Sequence, residues 1–259
     1  MTVDLYVESS GKGAPLVMLH GWGMHGGIWE DCVPSLAAGW RVVRPDLPGH
    51  GRSPAVPARA DLDSLCEVVA SNCPREMVLI GWSLGGLIAI RIARRLPQRI
   101  RGLVLVAATP RFVSGPDWPC GVDAPVLESF GRGLATDYRK TVRDFLTLQV
   151  RGDDKAVELL RTLKKRVFAH GDPDPRALRL GLDLLAETDA RPDLPQIKPS
   201  TLVISGERDR LTPPEAGRRT AEAIPDARFC AIEGAAHAPF LSHREEFLTE
   251  LTRFLGERR

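Results

Sequence analysis

The chain has 259 residues, enough for one sizeable core and few for two ordinary domains. With 43% hydrophobic and 26% charged residues it reads as a folded soluble protein, and no apolar run approaches the roughly 18 residues that a membrane span needs. A net charge of +2 is too small to argue for a nucleic-acid partner.

The N-terminus, Met1 to Glu8, is acidic and alternates polar with apolar residues, unlike the basic then apolar layout of a signal peptide. The expectation is a cytoplasmic protein. Five cysteines without C-x-x-C spacing (Cys32, Cys66, Cys73, Cys120, Cys230) read as reduced structural thiols. Six histidines show no H-x-x-x-H or H-E-x-x-H pattern, and no G-x-G-x-x-G occurs, so neither a metal nor a nucleotide cofactor is expected.

After the alternating segment Val3 to Val7 and a turn at Gly11 to Pro15, Leu16 to Leu19 is a continuous apolar run suited to a strand buried on both faces. It ends in His20-Gly21-Trp22-Gly23, where flanking glycines let the Trp22 backbone approach a ligand. Trp29 to Leu36 predicts a short helix and Arg41 to Arg44 a strand. The turn-rich Pro45 to Ser53 can continue neither. Leu62 to Val69 predicts the next helix.

The strand Met77 to Ile80 then leads into Gly81-Trp82-Ser83-Leu84-Gly85. A helix follows that runs to Leu96 and is stopped by Pro97. A serine in such a strand-to-helix turn adopts a strained backbone that only small neighbours permit, and its hydroxyl stands clear of the sheet. The Leu84 N–H would lie at a helix N-terminus, where an oxyanion is favoured, with the Trp22 N–H as second donor. Leu103 to Ala107 is one more buried-strand run. The alternation predicts an α/β fold with a mostly parallel sheet covered by helices on both faces.

From Pro110 to Pro199 the strand signal nearly vanishes. Tyr138, Val142, Phe145, Leu146 and Gln149 share one helical face, as do Leu159, Leu160, Leu163 and Val167. The expectation is a core of residues 1–109 and 200–259 with a helical lid, 110–199, inserted over the carboxyl ends of the strands. Between Arg132 and Arg166 ten basic residues face five acidic ones, so this stretch carries +5 and the remainder −3. A solvated helix face or a docking surface for an acidic partner would each produce that imbalance.

Strand signal resumes at Thr201 to Ser205, ahead of Gly206-Glu207-Arg208-Asp209. A helix over 214–223, a strand over 227–232 and a final helix over 245–255 follow. A serine hydroxyl needs a base to remove its proton, and the base needs a carboxylate to orient it. Asp209 and His237 fit the chain order serine, acid, histidine on loops after later strands. Glu207 is the rival acid and His243 the rival histidine, while His20 and His25 read as structural or peripheral.

His20-Gly21-Trp22-Gly23, Asp46 to Ser53, Gly81 to Gly86 and His237-Ala238-Pro239-Phe240 together resemble the α/β-hydrolase superfamily. Within it, Asp117-Trp118-Pro119, Phe145-Leu146-Thr147-Leu148-Gln149 and His237 through His243 resemble the pimeloyl-[acyl-carrier protein] methyl ester esterases of bacterial biotin synthesis. The resemblance implies a monomeric cytoplasmic serine carboxylesterase, without cofactor, with Ser83, Asp209 and His237 as triad and Trp22 and Leu84 as oxyanion donors. It implies an acyl pocket lined by Phe145, Leu146, Thr147, Leu148 and Gln149. An acidic acyl-carrier protein would dock on the lid, where Arg139, Lys140, Arg143, Arg161 and Lys165 are candidates and Val157 stands where another base would help. The same triad also fits a broad carboxylesterase, a lactonase or a thioesterase, and the fold without turnover would fit a ligand receptor. Dehalogenases and epoxide hydrolases of this fold use an aspartate nucleophile, which Ser83 argues against.

Overall fold

The computed structural model describes residues 3–55 and 60–257. Met1 and Thr2, part of the stretch read for a leader, lie outside the described residues. Seven strands form one sheet: β1 (Val7–Ser10), β2 (Pro15–Leu19), β3 (Arg41–Pro45), β4 (Met77–Trp82), β5 (Ile100–Val106), β6 (Thr201–Gly206) and β7 (Ala227–Ile232). Their order is β1-β3-β2-β4-β5-β6-β7, with β1 antiparallel to β3 and every other neighbouring pair parallel. The N-terminal alternation enters a strand only at its last residue, Val7. Val3 to Tyr6 form none, although the Tyr6 carbonyl accepts the Asp46 N–H at 2.9 Å.

The helices are α1 (Val33–Leu36), α2 (Leu62–Ser71), α3 (Leu84–Arg95), α4 (Ala124–Gln149), α5 (Ala156–Arg166), α6 (Pro175–Glu187), α7 (Pro214–Ala223), α8 (Pro239–Ser242) and α9 (Arg244–Gly256). The short helix expected over 29–36 is instead a 3₁₀ segment, Gly26–Cys32, running into α1, which Pro34 opens. Strand β4 is wholly buried, and β2 and β5 are buried except at Pro15 and Arg101, because helices cover both faces of a parallel sheet. No described helix is long and apolar enough to cross a membrane.

The chain leaves β2 for β3 on one side and returns to β4 on the other. This reversal brings the carboxyl ends of β2 and β4 side by side, Leu19 opposite Gly81. Open parallel sheets bind ligands at such a point. The helical stretch 110–199 begins and ends together: the Ala190 N–H donates to the Pro110 carbonyl at 2.8 Å, and Arg111 and Arg191 both pair with Asp117 and Asp189. Within it α4 bends at Asp137 (φ −151°, ψ 91°), whose carboxylate caps the second arm by accepting the Lys140 N–H.

Candidate active site

Ser83 sits between β4 and α3 with φ 54°, a left-handed conformation that costs a non-glycine residue about 1–3 kcal/mol. The turn closes because a Cβ on Gly81 would strike the Gly85 carbonyl and come within 2.6 Å of Gly86 Cα, and one on Gly85 would lie 2.5 Å from the His20 carbonyl oxygen. A Cβ on Gly21 would lie 3.2 Å from Ser83 Cβ, so the β2 turn runs against the serine. The hydroxyl is buried, with Ser83 only 5% exposed, and its oxygen has no hydrogen-bond partner. Neither the Trp22 nor the Leu84 N–H is a donor among the turn and loop hydrogen bonds of the described residues.

His237, fully buried, follows β7. Its Nδ1–H donates to Asp209 Oδ2 at 2.8 Å, which leaves Nε2 as the lone-pair nitrogen, buried and unpartnered. Two buried polar atoms of opposite role, the Ser83 hydroxyl and an imidazole nitrogen of His237, both lack partners. Leaving such groups unpaired costs about 1–3 kcal/mol each, so nothing in folding stability favours the arrangement. Asp209 Oδ1 accepts the N–H groups of Leu211 (2.8 Å) and Thr212 (3.0 Å), and the Thr212 hydroxyl donates to Oδ2 at 2.6 Å. Trp82, the residue before the serine, donates its indole N–H to the His237 carbonyl at 2.7 Å. That bond ties the histidine loop to the serine strand.

The rival residues are engaged elsewhere. Glu207 accepts the Gly234 N–H at 3.1 Å and stays at the surface. His243 Nδ1 lies 2.9 Å from the Ser242 hydroxyl. His20 accepts the Leu47 N–H at Nε2 and donates from Nδ1 to the Gly21 carbonyl. His25 accepts the Gly27 N–H at Nδ1 and donates from Nε2 to the Arg166 carbonyl. With both ring nitrogens occupied, neither can take a proton from Ser83. Burial pushes His20 well below the ordinary histidine range and lowers His25 as well.

The roof over Ser83 is helical. The Trp22 indole donates to the Leu178 carbonyl of α6 at 2.8 Å and meets the Phe145 ring edge-on, with centroids 4.8 Å apart. A Cβ on Gly181 of α6 would stand 2.6 Å from Trp22 Cδ1 and 3.2 Å from Leu84 Cδ2, so this glycine lets α6 rest on both expected oxyanion residues. Of the expected pocket run, Phe145, Leu146 and Gln149 face inward and are buried, and the Gln149 carbonyl accepts the His237 N–H at 3.2 Å. Thr147 and Leu148 instead line an outer groove of about 540 Å³ with Val126, Phe130 and Arg151. Consecutive helical residues point about 100° apart, so five in a row cannot all face one pocket.

The docking candidates divide as well. Arg139 is bidentate on Asp172 and Lys140 pairs with Asp144 at 2.6 Å. Arg143, Arg161 and Lys165 are exposed and form no ion pair among the described residues, and Val157 beside them is 77% exposed. Three site features escaped the sequence reading: the Trp82 indole bond, the Thr212 hydroxyl and Gly181. Only the last left a signal, a glycine inside a helical pattern.

Residues 14–244 match the family model for the alpha/beta hydrolase fold. The chain is 42% identical over 246 residues to a pimeloyl-[acyl-carrier protein] methyl ester esterase of Nitrosomonas europaea, covering 95% of this chain and 97% of that one. It is 43% identical over 252 residues to the protein of the same name from Stenotrophomonas maltophilia, covering 97% and 96%. Among solved structures, a bromoperoxidase from Bacillus anthracis superposes with a TM-score of 0.88 at 28% identity, over 98% of this chain and 96% of that one. With the parallel sheet, the serine at the β4–α3 turn and these near full-length matches, the chain belongs to the α/β-hydrolase fold family.

Proposed function

We propose that the chain is a serine carboxylesterase that hydrolyses the methyl ester of pimeloyl-acyl-carrier protein, releasing methanol. The observation that carries the chemistry is the Asp209–His237 pair at 2.8 Å with two buried, unpartnered atoms beyond it, His237 Nε2 and Ser83 Oγ. The near full-length identity to esterases of that name supports the substrate.

His237 Nε2 takes the Ser83 proton as Oγ attacks the ester carbonyl, and the negative oxygen is held by the Trp22 and Leu84 N–H groups. His237 then returns the proton to the methoxy group, and methanol leaves. A water gives its proton to Nε2, attacks the acyl-enzyme, and the chain departs with a free carboxylate while Ser83 regains its proton. Asp209 holds the Nδ1–H tautomer and offsets the imidazolium charge. Residues 110–199 act as the lid, with Phe145, Leu146 and Gln149 against the acyl chain. The exposed cations Arg143, Arg161 and Lys165 are the part of the lid suited to an acidic carrier.

The test is methanol release from purified pimeloyl-acyl-carrier-protein methyl ester, compared with the same ester without its carrier, at low and raised salt. A carrier-dependent advantage that salt erodes is the expected result. Equal turnover of both esters would reduce the protein to a general carboxylesterase, and Ser83→Ala with undiminished turnover would overturn the triad.

A further inference from the structure

The loop from Glu233 to Ala238 carries His237, and its backbone is held from the lid. The Asp154 N–H donates to the Gly234 carbonyl at 3.1 Å, the His237 N–H donates to the Gln149 carbonyl, and the Ala236 N–H donates to Asp153 Oδ2 at 2.8 Å. Asp153 is 7% exposed, a buried carboxylate in the turn between α4 and α5. Its other oxygen, Oδ1, accepts the Lys155 N–H at 2.8 Å, the local bond by which aspartate shapes a turn. A serine or asparagine would serve that local bond as well, so the second oxygen is what distinguishes aspartate here. It is spent on an N–H 83 residues away, next to the histidine.

On its other side the histidine loop is held from the stretch after β6, where the Arg208 N–H donates to the Ala235 carbonyl at 2.8 Å and the Gly234 N–H donates to Glu207 Oε2 at 3.1 Å. Between Ala235 and Ala238 the Ala236 and His237 N–H groups end on lid atoms, and the His237 carbonyl that follows them accepts from the Trp82 indole. His237 is therefore clamped between the lid turn and β4, the strand that leads into Ser83. Lys155 makes a further bond from the same turn, Nζ to the Ser242 carbonyl at 2.6 Å, but five residues beyond the histidine.

We infer that Asp153 is a positioning residue for His237: by holding the Ala236 N–H it fixes the imidazole for proton transfer with Ser83, so that lid seating and base placement are one event. The inference rests on the Ser83–His237 reading above. A misplacement of about 1 Å can cost roughly a hundredfold in rate.

The experiment uses p-nitrophenyl acetate, which needs no carrier. Asp153→Ser keeps a hydroxyl for the Lys155 N–H and cannot reach Ala236, while Lys155→Met removes the neighbouring lid bond as a control. The expected result is a fall in kcat of about tenfold to a hundredfold in Asp153→Ser, with KM within about twofold, and kcat close to wild type in Lys155→Met. Wild-type kcat per folded molecule in Asp153→Ser, or equal losses in both variants, would overturn the inference in favour of general lid stability. If the serine variant does not accumulate, Asp153→Ala decides: it removes the acceptor for the Ala236 N–H whatever the side-chain rotamer, and wild-type kcat per folded molecule there is equally fatal. Ser83→Ala on the same ester separates the two readings. Its inactivity together with an unaffected Asp153→Ser sinks only the positioning role, and its retained turnover sinks the triad as well.

Discussion

The Asp209 carboxylate divides its two oxygens between different tasks, which makes the consequence of changing it calculable. Oδ1 is fixed by the Leu211 and Thr212 N–H groups, so in Asp209→Asn the amide oxygen stays there and the NH₂ group faces His237. His237 Nδ1 would then have to accept, moving its proton to Nε2, where none can be taken from Ser83. The isosteric change should leave the thermal midpoint within a few degrees and lower kcat by about 10⁴, the scale such a tautomer switch reaches in serine proteases. The kcat for a p-nitrophenyl ester at pH 7 checks it, and a loss below tenfold would mean that Asp209 does not orient the base. This residue was legible from chain order and loop position. Thr212 was not, because a hydroxyl three residues beyond an aspartate has no pattern that separates it from any turn threonine.

Helix α6 carries the clearest compromise at the next scale. Glycine in a helix interior costs about 1 kcal/mol against alanine, yet Gly181 stands where a Cβ would press on the rigid Trp22 indole. Overpacking costs about 1–3 kcal/mol, so in Gly181→Ala the propensity gain is cancelled or outweighed. Because Trp22 is also bonded to Leu178, the strain is relieved by lifting α6 or by shifting the Trp22 backbone. A kcat lowered about tenfold to a hundredfold with little or no gain in thermal midpoint is the expected outcome, and a more stable, fully active variant would refute it. The charged face of the proposed lid makes a separate prediction. Arg143→Glu combined with Arg161→Glu should cut the ratio of kcat/KM for carrier-bound over carrier-free ester by at least about tenfold at low salt, with the difference shrinking as salt rises. An unchanged ratio would move the carrier elsewhere. Elements of this kind were legible as far as periodicity reached. The arm of α4 from Tyr138 onward was found from its apolar face, whereas the bend at Asp137 and the close approach of Gly181 depend on partners far away in sequence.

At the scale of the whole molecule, the helical stretch 110–199 meets the rest of the chain over histidines. His20 and His50 lie with ring centroids 5.3 Å apart, and His25 meets His170 of that stretch at 4.5 Å. His20 and His25 could be set aside as bases from the sequence, but that they gather at one junction with His50 and His170 follows only from the fold. Burial lowers His20 and His25 and takes His50 down to about 4, and the Asp46 and Asp174 carboxylates near His50 only partly oppose this. A histidine whose folded pKa lies below its unfolded value of about 6.5 is neutral in the native state, while the unfolded chain binds the proton. Its contribution is therefore intact above about pH 6.5 and lost as pH falls towards 4. By linkage His50 alone removes about 2 kcal/mol between pH 7 and pH 5, a large share of the roughly 5–15 kcal/mol that holds a domain folded. At about 2–4 °C per kcal/mol for a chain of this size, the thermal midpoint should fall by at least about 4 °C over that range. The paired aspartates titrate lower, since Asp172, Asp174 and Asp189 are all held below the usual carboxylate range, so loss above pH 5 belongs to the histidines. His50→Asn, whose side-chain N–H can replace the Nδ1 bond to the Pro48 carbonyl, should flatten the slope between pH 6.5 and 5. Equal midpoints at pH 7 and pH 5 in the unmodified protein would show that these rings are not held neutral, and a slope unchanged in His50→Asn would shift the effect to His20 and His25.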